Sequence, residues 1–195
     1  DLVKAAQEAY VALDSARLVV KDIDTGEVSQ EFTFKYYDDV LHYVYESTVD
    51  GKEYYEYNDG KTLQIKKTGE VKSYKWPSKN FTKFKRNNPH PNASTGIFFF
   101  EPDCIGNASV TIDAEKNTTV AYSYDMAKLS KKMTTETTEG KMYAFDTTFV
   151  FDKDGKFLKL NEASSFEKDT EKTKHIYTIE VEDENGISEI QNPIK

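Results

Sequence analysis

Three glycines nine residues apart, Gly51, Gly60 and Gly69, most constrain what this chain can fold into. Each follows a turn-forming partner, Asp50, Asp59 or Thr68, and the runs between them are rich in Tyr, Val and Leu. Asp-Gly supplies the positive φ angles of a tight hairpin turn, so Phe32 to Trp76 reads as successive β-hairpins. Parallel strands need long crossovers, which these spacings leave no room for; the neighbours are expected to be antiparallel.

The same alternation extends in both directions. Upstream, Leu2, Ala6, Ala9 and Leu13 follow helical spacing, with Val3 and Tyr10 beside them, and mark an N-terminal amphipathic helix. From Ala16 the period becomes two, and Phe32, Phe34 and Tyr36 share one face, as do Leu41, Tyr43 and Tyr45. The segment from Pro77 breaks the rhythm: Asn87-Asn88-Pro89-His90-Pro91-Asn92 is a loop, and Ile97 to Phe100 is an apolar knot stopped by Pro102. Strands resume with Val110 and Ile112, then Val120, Tyr122 and Tyr124. Met126 to Met133 suits a helix or an edge strand. The longest alternation places Tyr143, Phe145, Thr147, Phe149 and Phe151 inside. Phe157 to Phe166 follows, and a last hairpin, Lys174–Glu182 with Ile187–Gln191, is expected across Asn185-Gly186.

These readings predict an α+β fold in a single domain over 1–195. One strongly curved antiparallel sheet, a half-barrel of about ten to twelve strands, wraps around the N-terminal helix and a central irregular or helical insert. The strand-rich halves are 16–76 and 107–192, and the insert is 77–106.

Composition bounds the partners. The net charge of −8 argues against coating a phosphate backbone, so nucleic acid is not expected. Arg17 and Arg86 are the only arginines, which leaves few bidentate clamps for phosphate or carboxylate. Cys104 is the only cysteine, which rules out an internal disulfide and a disulfide-rich secreted scaffold. No run is apolar for the 18 or so residues of a membrane helix. Lys79 to Arg86, which interleaves basic residues with Phe81 and Phe84, suits a solvated basic face or contact with an anionic membrane surface.

Chemistry-bearing motifs are scarce. The three histidines, His42, His90 and His175, are scattered, and no serine sits in a nucleophile-elbow turn. His42 and His175 lie in alternating segments and are expected to face out; His90 lies between prolines without metal-ligand companions. Acidic residues fall mainly at turns and on outward strand positions. The expectation is therefore a non-enzyme with no cofactor and no metal. The aromatic surplus, 13% of residues, fits either an ordinary β core or the lining of an apolar ligand cavity.

The order of features also carries a resemblance. The helix runs into the strand in LDSARLVVKD, and the Asp-Gly meander follows in YYEYNDGKTLQIKKTGEVKSYKW. After the irregular insert come DTTFVFDKDGKFLKLNEASS and YTIEVEDENGISEIQNP. Over the whole chain this pattern resembles the bacterial lipoprotein-carrier superfamily of small exported lipoproteins. The resemblance implies a cavity for acyl chains between sheet and helices, export, and a lipid anchor on a cysteine upstream of Asp1. It implies a lipid or other apolar ligand, with the membrane surface or another envelope protein as further partners. The cavity candidates are Phe32, Phe34, Tyr36, Tyr43, Tyr45, Trp76, Phe98, Phe99, Phe100, Tyr122, Tyr143 and Phe145. The arginine with which such carriers hold a lid closed has no clear counterpart in Arg17. The alternative expectation is a cell-surface or sensor-regulating interaction module with a solid core and no ligand.

Overall fold

A computed structural model describes residues 2–38, 40–49, 51–76 and 100–194. They form a predominantly β protein. Helix α1 (Leu2–Val11) leads into β1 (Ser15–Asp22), β2 (Val28–Tyr37), β3 (Val40–Val49), β4 (Lys52–Asn58), β5 (Thr62–Lys67) and β6 (Glu70–Lys75). After a single 3-10 turn at Pro102–Cys104 come β7 (Ile105–Ile112), β8 (Thr118–Tyr124) and the one-turn helix α2 (Met126–Leu129). The chain then forms β9 (Glu136–Thr137), β10 (Gly140–Phe151), β11 (Phe157–Lys168) and β12 (Glu171–Glu182). The twelve strands belong to one open antiparallel sheet, ordered β6-β5-β4-β3-β2-β1-β12-β11-β10-β8-β7, with β9 beside β10.

This corrects the α+β expectation of a half-barrel around a helix and a helical insert. Among the described residues the α-helices are α1, of 10 residues, and α2, of 4. Of the insert 77–106, only 100–106 is described; it holds the 3-10 turn, and β7 already begins at Ile105. Tyr, Val, Thr and Phe dominate the rest, and these side chains pack on pleated sheets better than they fit helices.

The turns explain the register. Asp59 Oδ1 accepts from the backbone N–H of Lys61 (2.9 Å) and Thr62 (2.6 Å), and Asn58 Oδ1 accepts from Gly60 N–H (2.7 Å). Asp22, Asp113 and Asp152 open their turns in the same way, each taking two or more backbone N–H groups. A short carboxylate that mimics a backbone turn fixes where each strand stops.

The chain divides into two compact units. One comprises Asp1–Gln7, Asp22–Gly26 and Ile97–Glu180; the other comprises Glu8–Lys21, Glu27–Gly96 and Val181–Lys195. In the second of these, the buried side of α1 is the Tyr10 side, and Tyr10 is 6% exposed. Along the helix Val3 and Tyr10 are buried while Leu2 is exposed, so the stripe runs one residue around from the expected Leu2–Ala6–Ala9–Leu13 face.

The expected final hairpin is also corrected. Residues 187–191 form no strand. Instead Asn185, at φ 56, donates its N–H to Ser15 O (2.7 Å) and accepts Asp14 N–H on Oδ1 (2.8 Å). The chain then runs across the outer side of its unit as a strap. Ile187 O accepts from Lys35 Nζ (2.6 Å), Asn192 Nδ2 donates to Gln64 Oε1 (2.8 Å), and Ile190 and Ile194 are buried. An Asn-Gly pair is a turn signal, but here the turn redirects the chain without pairing it back.

Candidate functional site

The aromatic residues were the candidates for a ligand cavity, and their surroundings decide what they can do. In the unit containing β1 to β6, Phe32 and Phe34 alternate along β2, and Tyr43 lies across from Phe34 on β3. All three are within 2% of complete burial. Their rings fill the space against one another: Phe32–Phe34 centroids lie 5.8 Å apart and Phe32–Tyr43 5.4 Å. Tyr10 of α1 meets Phe34 edge-on at 6.1 Å, and Trp76 meets Tyr43 edge-on at 6.3 Å. Tyr36 packs edge-on against Phe34 at 6.0 Å, and Tyr45 against Tyr54 at the same separation. These are ordinary aromatic packing distances, ring against ring.

A carboxylate sits within this layer. Glu56 on β4 is 2% exposed, and its two oxygens accept from Tyr43 Oη (3.0 Å) and from Tyr54 Oη. Burial, reinforced by Glu56, pushes both phenols well above their ordinary range. A buried acid is tolerable only when its lone pairs are occupied, and two tyrosine hydroxyls do that here. The hydrophobic alternation gives no sign of Glu56, because its neighbours Tyr55 and Tyr57 read as the apolar positions.

In the other unit, Phe145 is 6% exposed and packs on Tyr124 at 5.5 Å, within a core that includes Cys104, Leu129, Met142 and Phe166. Cys104 is thus a small core residue. Tyr122 is half-buried between Phe100 (5.4 Å) and Phe149 (6.1 Å). Tyr143, expected inside with Phe145, is 44% exposed. The pairing of β10 with β11 jumps from Met142↔Phe166 to Ala144↔Ser165, so Tyr143 is the extra residue of a β-bulge. The bulge lets Met142 and Phe145, three apart, share the inner face. Phe98 and Phe99 lie outside the described residues, as do His90 and Lys79 to Arg86.

Two polar features were not legible in the sequence. Glu162 on β11 is opposite Thr147 on one side and Tyr177 on the other. Its Oε1 is shut from solvent and has no hydrogen-bond partner among the described residues. Burial raises this carboxyl to about 7. Nearby, Tyr124 Oη and Thr147 Oγ1 lie 3.3 Å apart, and burial pushes the Tyr124 phenol up to about 12. On the outer side of the strapped unit, Arg17 is held between Glu31 (2.6 Å) and Glu182 (2.9 Å). Beside it an open groove of about 600 Å³ runs under the strap, bordered by Thr33, Val44, Glu46 and residues 189–193. None of the ten described aromatic candidates lines it.

The described histidines are engaged locally. His42 is half-buried against Tyr37 (4.5 Å), and burial lowers its pKa, whereas it was expected to face out. His175 Nε2 lies 2.7 Å from Glu139 Oε2 and stacks on Tyr177. Among the described residues, no three His, Cys, Asp or Glu side chains are grouped so as to hold a metal ion. No helix of the described residues is long and apolar enough to cross a membrane. No protein-family model matches the chain, and no curated protein matches it either.

Proposed function

We propose that this chain is a non-catalytic binding module of the bacterial cell envelope that works through its surface, with a core already filled by its own side chains. The single observation that carries the reading is the closure of the aromatic face in the strapped unit. Tyr10 lies directly on Phe34, Trp76 lies on Tyr43, and Phe32 is 2% exposed between them. A guest acyl chain needs free apolar volume on that face, and among the described residues these rings are in contact with one another across it. Glu56 in the same layer disfavours an aliphatic guest further, since displacing Tyr43 or Tyr54 would strip a buried acid of its donors. The envelope assignment and the lipid anchor come from the resemblance to exported lipoproteins, and the interaction-module branch of that reading is the one this packing supports.

Titration of the purified chain with a fatty acid and with an apolar fluorescent dye tests the proposal. The expected result is no saturable binding up to concentrations at which carriers fill. Saturable binding of about one molecule per chain, lost when Phe34 is replaced by a polar residue that leaves the fold intact, would overturn it.

A further inference from the structure

The ends of the strand order differ in chemistry. The β6 end reads EVKSYK, and Glu70, Lys72 and Lys75 line it with charge, the usual guard against strand addition. The β7 end, Ile105–Ile112, reads IGNASVTI and contains no charged residue. It pairs with β8 on one side, and among the described residues no strand pairs with the other. From Gly106 to Ile112 every residue is exposed.

The exposed apolar side chains of β7 continue the core row. Across the sheet, Ile179, Leu160, Phe149, Val120 and Val110 lie opposite one another in turn. Their exposures are 6%, 0%, 0%, 8% and 64%. Beside Val110 on the same face is Ile112, at 69%. The inner face of the sheet thus runs out into solvent at an uncharged edge whose outward backbone groups lack a strand partner among the described residues. An edge of this kind is completed by one more antiparallel strand, with small or apolar residues on the inner face and neutral polar residues on the outer one.

The sequence of β7 itself meets that description, with Ala108, Val110 and Ile112 on one face and Asn107, Ser109 and Thr111 on the other. From this we infer that β7 is the dimerisation edge of the chain and that its occupant is the β7 strand of a second copy. A two-fold axis normal to the sheet keeps inner face with inner face, so residues of like parity must oppose. The register centred on Val110 does this: Val110 opposes its own counterpart, Ile112 opposes Ala108, and Ser109 opposes Thr111. Nothing in that register places like charges together. The net charge of −8 on each copy opposes association at long range, so added salt tightens the dimer. The inference stands apart from the proposed function, because a dimer of this kind forms whether or not a ligand binds elsewhere.

Sedimentation equilibrium of the full chain over a concentration series tests it, at low salt and at physiological salt. The expected result is a reversible monomer–dimer equilibrium that strengthens with salt. Val110→Lys places like charges directly opposite and is expected to weaken the dimer by tenfold or more. At 64% exposure the substitution should leave the thermal midpoint unchanged. Val71→Lys, on the guarded edge, is expected to leave the dimer as it is. Val110→Cys under mild oxidation is expected to give a symmetric disulfide-linked dimer, because opposed residues of an antiparallel pair have Cα atoms about 4.5–5.5 Å apart. A wild-type chain that stays monomeric at hundreds of micromolar overturns the inference and leaves the edge to a strand of another protein. A dimer that Val110→Lys does not weaken also overturns it. A dimer in which Val110→Cys fails to cross-link overturns the register.

Discussion

Glu162 shows how one side chain sets a pH dependence. Its carboxyl is raised from 4.5 to about 7 by burial, so the folded chain holds a proton that the unfolded chain releases. Between those two pH values the native state binds more protons, and stability falls as pH rises. The loss is on the order of 3 kcal/mol across that window. Glu162→Gln should remove the slope and raise the midpoint at pH 8 while changing little at pH 4.5, as read by thermal melts at several pH values. The turn aspartates act in the opposite sense. Backbone N–H groups of Thr25, Asn117 and Lys156 hold Asp22, Asp113 and Asp152 below the usual carboxylate range. Their contribution is complete above the unfolded pKa and is lost as the pH falls through the folded one. Glu56 behaves as a structural acid, so Tyr43→Phe, which removes one of its donors, should cost about 1–3 kcal/mol in chemical denaturation. Gly140 has φ 113, and a Cβ there would collide with the Glu167 backbone. Gly140→Ala should therefore destabilise more than Gly51→Ala, where a Cβ meets nothing within 4 Å.

At the scale of elements, the strap and the bulge matter most. Ile190 of the strap is 7% exposed, and Ile190→Ala should cost about 2–4 kcal/mol, whereas Val71→Ala on the charged edge strand should stay within about 0.5 kcal/mol. Urea denaturation curves of the two variants make the comparison. The strand positions from Phe32 to Lys75 were legible because each turn carries its own chemistry: Asp59 and Gly60 set the hairpin without help from distant residues. The strap was not legible, since Asn185-Gly186 reads the same whether the chain pairs back or is captured by Ser15. The Tyr143 bulge was not legible either. A bulge shifts parity by one residue, and alternation alone cannot say where. The aromatic positions of the candidate site could be read as buried, but packing and cavity lining share the same alternation. The α+β expectation joined the ten-residue helix to a helical insert, whereas among the described residues the α-helices are α1 and the four-residue α2.

The described residues form two compact units, their strands belong to one open sheet with unlike edges, and the chain carries a net charge of −8. In one core the rings of Phe32, Phe34 and Tyr43 interlock; in the other Phe145, Met142, Leu129 and Phe166 surround Cys104. Such packing favours recognition at surfaces, and among the described residues the uncharged β7 edge and the groove under the strap have distinctive chemistry. The central claim is that the protein carries no internal guest. Native mass spectrometry of the chain purified from its native source, followed by organic extraction of the same sample, tests this most directly. The account predicts a mass equal to that of the polypeptide and any covalent anchor, as a monomer or a dimer, with no lipid released beyond that of a blank preparation. A reproducible adduct of lipid mass, released in about one equivalent per chain by the solvent, would contradict it.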